Sequence, residues 1–184
     1  MTAKTLRAAV ATIVLCAIFI WAGAARAERQ KITVGKHREM TAILIAPDGP
    51  GPFPAVLVLH TSDGLGDADL AFAERLSKQG YVCLVPEFLD AYGITARSRA
   101  DTFTTFATDI YDDFSAAVAT LQHYPKVAGS KVGAVGFSNG GYFAMWLAAT
   151  GKVVVVLYDW VSRSKVPIGD DLRQRIERRA ASGA

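Results

Sequence analysis

Cysteine and histidine are scarce in this chain, and where they are missing sets its first limits. The 184 residues hold two cysteines and three histidines. Cys16 lies in a leading apolar run, so Cys83 stands alone in the remainder and no internal disulfide can brace the fold. Cys83, within Tyr81-Val82-Cys83-Leu84-Val85, reads as a small apolar residue of a buried strand. Cys16 follows Leu15 and precedes more apolar residues, which does not fit a lipid-modified cysteine. With so few soft ligands, and none of them clustered, no metal site or cofactor is expected. Asp63 and Asp67, flanking Gly64-Leu65-Gly66, read as a loop and a helix start, with a metal pair as the competing reading. Repeats and low-complexity segments are also lacking.

A basic surface is the next absence. The formal charge is +3, but Lys4, Arg7 and Arg26 all lie in the first 27 residues, which contain no acid, so the remainder is neutral. That excludes a nucleic-acid-binding reading based on charge. Lys4 and Arg7, the apolar run Ala8 to Ala25 and Ala25-Arg26-Ala27 have the layout of a secretory signal with cleavage after Ala27. The expected location is therefore secreted or periplasmic. The alternative is an uncleaved membrane anchor, with Trp21 at the interface. The chain from Glu28 onward is long enough for one domain.

Unbroken apolar runs at Ala55 to Leu59, Val82 to Val85, Val132 to Val135 and Val153 to Leu157 read as parallel strands covered on both faces. Two further strands are expected at Lys31 to Val34 and Thr41 to Ala46, before the turn cluster Pro47-Asp48-Gly49-Pro50-Gly51-Pro52. Helical spacing appears in Leu70, Phe72, Ala73 and Leu76, which ends at Gly80, and again from Ala100 to His123, with Phe103, Phe106, Ile110 and Phe114 in phase. A third helix covers Tyr142 to Ala149. Strands alternating with helices imply a three-layer α/β/α sandwich on a mostly parallel sheet.

The most informative feature is Gly136-Phe137-Ser138-Asn139-Gly140-Gly141, set between a buried strand and a helix. It reads as a nucleophile elbow, with an ordinary glycine-rich loop as the bland alternative. A strand that turns directly into a helix strains the backbone at the serine and leaves no room for bulk beside it. The new helix aims unpaired N–H groups at charge developing on an attacked carbonyl.

These residues, together with Val56-Leu57-Val58-Leu59-His60, the Gly64-Leu65 loop and Gln79-Gly80-Tyr81-Val82 before Pro86, resemble the dienelactone hydrolase family of α/β-hydrolases over residues 40 to 159. The resemblance implies an α/β-hydrolase fold and hydrolysis of a small ester or lactone through an acyl-Ser138 intermediate. That family usually carries cysteine where Ser138 stands, and often an acid where Thr61 stands. Ester chemistry survives the first change, but the cysteine-specific switching of those enzymes is not implied.

Acyl transfer needs a nucleophile, a base, an orienter for the base and two oxyanion donors. Ser138 supplies the first and the Asn139 N–H one donor, and Ser62 or Thr61, after the third strand, is best placed for the other. The fold's chain order is serine, acid, histidine, yet His37, His60 and His123 all precede Ser138. His60, ending a neighbouring strand, is either a substitute base or a shaper of the oxyanion loop, the second being favoured; His37 and His123 read as surface residues. Asp159 ends the strand from Val153 and is placed as the acid, with no histidine to orient.

Beyond Trp160 the chain becomes polar and arginine-rich, with too few apolar residues to add strands, and the resemblance stops. The expected division is residues 1–27 as signal, 28–159 as an incomplete α/β-hydrolase domain and 160–184 as a basic tail. Either the chain is truncated or frame-shifted there, or the tail serves a partner. Truncation would leave Val153 to Leu157 as an open edge, to be covered by the tail or by a second copy of the chain. The alternative to a hydrolase is a catalytically silent fragment or binding module that keeps the elbow without a triad.

Overall fold

The structure, a computed structural model, describes residues 28–154, 157–159, 164–166 and 174. The expectations for the signal segment and for most of the tail lie outside the described residues. Strands β1 (Glu28–Val34), β2 (Met40–Ala46), β3 (Phe53–Leu59), β4 (Val82–Pro86) and β5 (Val127–Gly136) form one sheet in the order β1-β2-β4-β3-β5. Helices α1 (Asp67–Lys78), α2 (Phe88–Ala91), α3 (Ala107–Gln122) and α4 (Asn139–Ala149) connect them.

β4, β3 and β5 pair in parallel, whereas β1 with β2 and β2 with β4 are antiparallel. The sheet is therefore mixed, with the expected parallel pairing from β4 through β3 to β5 and antiparallel pairing at β1 and β2. The cause is the short connection at Gly35 to Glu39, which can only fold β2 back beside β1. Gly35 has φ 121°, and a Cβ there would meet the Arg38 carbonyl oxygen at 2.0 Å, so this turn demands glycine.

Alternation along the strands divides the core between two faces. Ile45, Val56, Val58, Cys83 and Val85 pack under α1, with Ala73 and the partly buried Leu70, Phe72 and Leu76. Leu44, Leu57, Leu59 and Leu84 face the other way, against Phe88, Phe114, Ala117, Leu121, Phe143 and Leu147 of α2, α3 and α4. This is the three-layer arrangement predicted from the alternation of strands and helices, and it leaves the C-terminal ends of β3, β4 and β5 side by side, where an α/β sheet holds its ligands.

Two stretches differ from the sequence reading. The helix predicted from Ala100 to His123 is broken: Arg99–Thr102 is a short 3₁₀ turn, and the α-helix starts only at Ala107. The Thr104 hydroxyl donates to the Ala100 carbonyl at 3.0 Å and the Phe106 amide to the Asp101 carbonyl at 2.9 Å, closing a local turn in place of a continuous helix. Phe103, in phase with the helical pattern, is consequently exposed.

The second is the run Val153 to Tyr158. Val154 bridges in parallel to Gly133, donating to the Val132 carbonyl at 2.9 Å and accepting from the Ala134 amide at 3.2 Å. A strand thus begins beside β5 as predicted, but residues 155–156 are not described. Leu157–Asp159 (β6) then pairs antiparallel with Ser164–Val166 (β7) in a separate two-stranded sheet. Asp159 therefore sits on a hairpin of its own rather than at the end of a main-sheet strand, and the polar tail, read as unable to add strands, contributes one to that hairpin. Among the described residues no helix is long and apolar enough to cross a membrane.

Candidate active site

Ser138 is the only non-glycine residue with positive φ among the described residues, at φ 52° and ψ −112°. It stands between the last residue pair of β5 and the first turn of α4. A β-carbon costs energy in this conformation, and the residue persists there only because its surroundings over-determine it. Those surroundings are visible. A Cβ on Gly136 would lie 2.1 Å from the Gly140 carbonyl oxygen, and one on Gly140 would lie 2.3 Å from the Leu59 carbonyl oxygen. The glycines at both flanks are thus imposed by close backbone approach. The Phe137 amide donates to Leu59 at 3.0 Å and the Tyr142 amide to the Ser138 carbonyl at 3.2 Å, tying the bend to the end of β3 and to the first helical turn.

The Ser138 side chain is exposed, while Asn139 and Gly140 are buried. Asn139 opens α4, so its backbone N–H has no intrahelical acceptor and points along the positive end of the helix dipole. Its side-chain Nδ2 is buried and has no hydrogen-bond partner among the described residues. Thr61 and Ser62, both half-buried, follow β3 at the same sheet edge, and the Asp63 amide donates to the Thr61 hydroxyl at 3.1 Å.

His60 directly follows β3 and is wholly buried. Its ring stacks on Phe88, with centroids 4.2 Å apart and planes 15° apart. Nδ1 lies 2.8 Å from the Thr61 carbonyl oxygen; a carbonyl only accepts, so Nδ1 carries the hydrogen and Nε2 is the bare acceptor. Nε2 is buried without a partner among the described residues. Burial holds the imidazole below its ordinary pKa, against the smaller opposing pull of the Thr61 carbonyl, Asp69 and Asp90. The ring is thus bonded to the backbone of the loop after β3, and among the described residues no hydrogen bond joins it to Ser138.

The other two histidines are exposed and engaged elsewhere. His37 Nε2 lies 3.0 Å from the Asp112 carboxylate, and His123 Nδ1 lies 2.7 Å from the Ala119 carbonyl oxygen. Asp63 accepts from Arg99 Nη2 at 2.6 Å and Asp67 opens α1; no group of three potential metal ligands gathers among the described residues.

Three contacts at this edge were not read from the sequence. Phe88 supplies the face on which His60 stacks. The Arg99–Asp63 ion pair fastens the 3₁₀ turn to the loop after β3. Phe103 meets Tyr142 edge to face, with centroids 5.2 Å apart and planes at 88°. All three join segments distant in sequence, so no local pattern announces them. Glu87, at the end of β4, is also set apart: burial, and next its neighbour Asp90, raise its carboxyl pKa.

The dienelactone hydrolase family model matches residues 40–176. The chain belongs to the dienelactone hydrolase family. Over 118 residues it is 30% identical to a Synechocystis protein named "Putative carboxymethylenebutenolidase", the match covering 58% of this chain and 48% of that one. The chain thus spans about half the length of that curated relative. Among solved structures, a dienelactone hydrolase-like promiscuous phosphotriesterase from metagenomic libraries superposes with a TM-score of 0.63 at 23% identity, over 86% of this chain and 79% of the other. A dienelactone hydrolase from Anabaena variabilis gives 0.53 at 22% identity, over 71% and 62%. Both likenesses carry the α/β-hydrolase fold. For this member of the dienelactone hydrolase family, that fold places the Ser138 bend at the edge where β3, β4 and β5 end.

Proposed function

We propose that this protein hydrolyses small esters or lactones by acyl transfer to Ser138. The backbone of Ser138 carries the reading: a strained φ of 52° at the start of a helix, with Gly136 and Gly140 pressed against neighbouring carbonyls, exposes one hydroxyl beside unpaired amide hydrogens. Ser138 Oγ adds to the carbonyl carbon, the alcohol departs with the hydroxyl proton, and water releases the acid and restores the serine. The Asn139 N–H and the Ser62 N–H hold the oxyanion, and removing one such donor raises the barrier by about 3–4 kcal/mol. His60 shapes the Ser62 loop. Asp159 would act as the acid only with a histidine to orient.

A second reading has its own support. Ser138 Oγ has no side-chain hydrogen bond among the described residues, and the neighbouring histidine is turned to a backbone carbonyl. In that reading the elbow binds a ligand without turning it over. A fluorophosphonate probe separates the two. The hydrolase reading expects labelling of the wild type and none of Ser138→Ala; equal absence of labelling in both leaves the silent module.

A further inference from the structure

The segment from Arg99 to Phe106 contacts both segments that carry the candidate site, the loop after β3 and the start of α4. At one end Arg99 is bound to Asp63, next to Ser62; at the other Phe103 rests against Tyr142, one helical turn beyond Ser138. Tyr142 and Phe103 are 40% and 42% exposed, whereas the other phenylalanines among the described residues are buried or half-buried. The Tyr142 amide donates to the Ser138 carbonyl, and side chains on a helix lean toward its N-terminus, so the tyrosine ring lies over the turn that carries the serine. The ring is held in place from behind: Phe143, fully buried, meets it at 5.1 Å and Trp146 at 5.9 Å.

We propose that Phe103 and Tyr142 form the wall that receives the uncharged aryl group of an ester bound at Ser138. This rests on the reading of Ser138 as the nucleophile and adds the substrate class to it. Two ring faces set at right angles offer a planar group both an edge and a face. The polar groups around Phe103 are engaged within the segment or at its far end: Arg99 with Asp63, the Thr104 hydroxyl with the Ala100 carbonyl, and the Thr105 hydroxyl with the Asp101 carboxylate. The surface is small, anchored and one turn from the reacting oxygen, which suits part of a small molecule rather than a protein partner.

Two fluorophosphonates with the same leaving group, one bearing methyl and one benzyl on phosphorus, test this on the full chain. Second-order labelling rates at Ser138 are read by mass spectrometry. The wild type is expected to favour benzyl by about three- to tenfold after correction for the probes' intrinsic reactivity. Phe103→Ala and Tyr142→Ala each bring that ratio near unity, and Tyr142→Phe keeps the preference. Phe103→Leu, which removes the ring but keeps an apolar side chain, stands in if truncation unfolds the protein. A benzyl-to-methyl ratio unchanged in both ring variants overturns the wall while leaving Ser138 as nucleophile. Failure of both probes to label the wild type above Ser138→Ala overturns the nucleophile itself, and the wall with it.

Discussion

The carbonyl oxygen of Leu59 takes a hydrogen bond from the Phe137 amide at 3.0 Å while standing 2.3 Å from where a β-carbon on Gly140 would fall. One backbone atom at the end of β3 thus fixes the entry to the bend and forbids bulk at its exit. Gly140→Ala must push Leu59 away and break the Phe137 bond. We expect a loss of about 2–4 kcal/mol, read by denaturant unfolding. Gly151→Ala is the control: its φ of 71° strains a side chain, but nothing lies within 4 Å, and the expected cost is about 1–2 kcal/mol. Equal losses at the two positions would contradict the steric argument.

The elbow was readable in the sequence because its demands are local. Gly136, Ser138 and Gly140 are spaced by the geometry of one bend, and the valine runs beside them are long enough to mark buried strands. Phe103 shows where that legibility ends. It fits a helical period from Ala100 onward, but periodicity counts only spacing, and the hydroxyl of Thr104 bonding back to Ala100 ends the pattern early. The wall it forms with Tyr142 depends on that break. His60 was legible as the end of a strand, but its buried stacking on Phe88 depends on where β4 delivers that ring, which no local spacing records. The parallel core was legible in the unbroken apolar runs of β3, β4 and β5, whereas the apolar run of β2, taken alone, is compatible with either direction of pairing.

His60 gives the stability a pH dependence. Burial lowers its folded pKa below the ordinary value of 6.5, so between those two values the unfolded chain binds a proton that the folded one refuses. Stability is fully present above pH 6.5 and falls as the pH drops toward the folded pKa. The thermal midpoint should therefore decline from pH 7.5 to 5.5 in the wild type and decline less in His60→Asn. Parallel declines in the two proteins would remove His60 as the cause.

Cys83 is buried in β4 with nothing but a distant Tyr81 carbonyl for its sulfur, and burial pushes its thiol up to about 12. Thiolate is the reactive form, so a disulfide-exchange reagent at pH 8 should leave Cys83 unmodified in the folded protein and reach it only after unfolding. Cys83→Ser puts a hydroxyl among Ile45, Val56 and Val85 and should cost about 1–3 kcal/mol. Rapid modification of native protein at Cys83 would mean that β4 opens locally at low cost.

Asp113 on α3 is buried and accepts four hydrogen bonds among the described residues. One carboxylate oxygen accepts the Lys36 and His37 amides, each at 2.5 Å; the other accepts the Arg38 amide at 3.2 Å and the Tyr92 hydroxyl at 2.6 Å. Three successive amides of the β1–β2 turn therefore converge on one helix residue, and the Arg38 guanidinium closes over the Tyr92 ring at 4.9 Å. Removing the carboxylate leaves four donors seeking water, so Asp113→Ala should cost about 3–5 kcal/mol. Tyr92→Phe takes away one donor and leaves the carboxylate three others, and about 1.5–3 kcal/mol is expected. The two losses should not add: once Asp113 is gone, the tyrosine hydroxyl has no acceptor to lose, and the double variant should fall short of the sum by about 1–2 kcal/mol. Strict additivity in denaturant unfolding would show that the hydroxyl and the carboxylate act independently and that the turn, not the pair, holds β1 to α3.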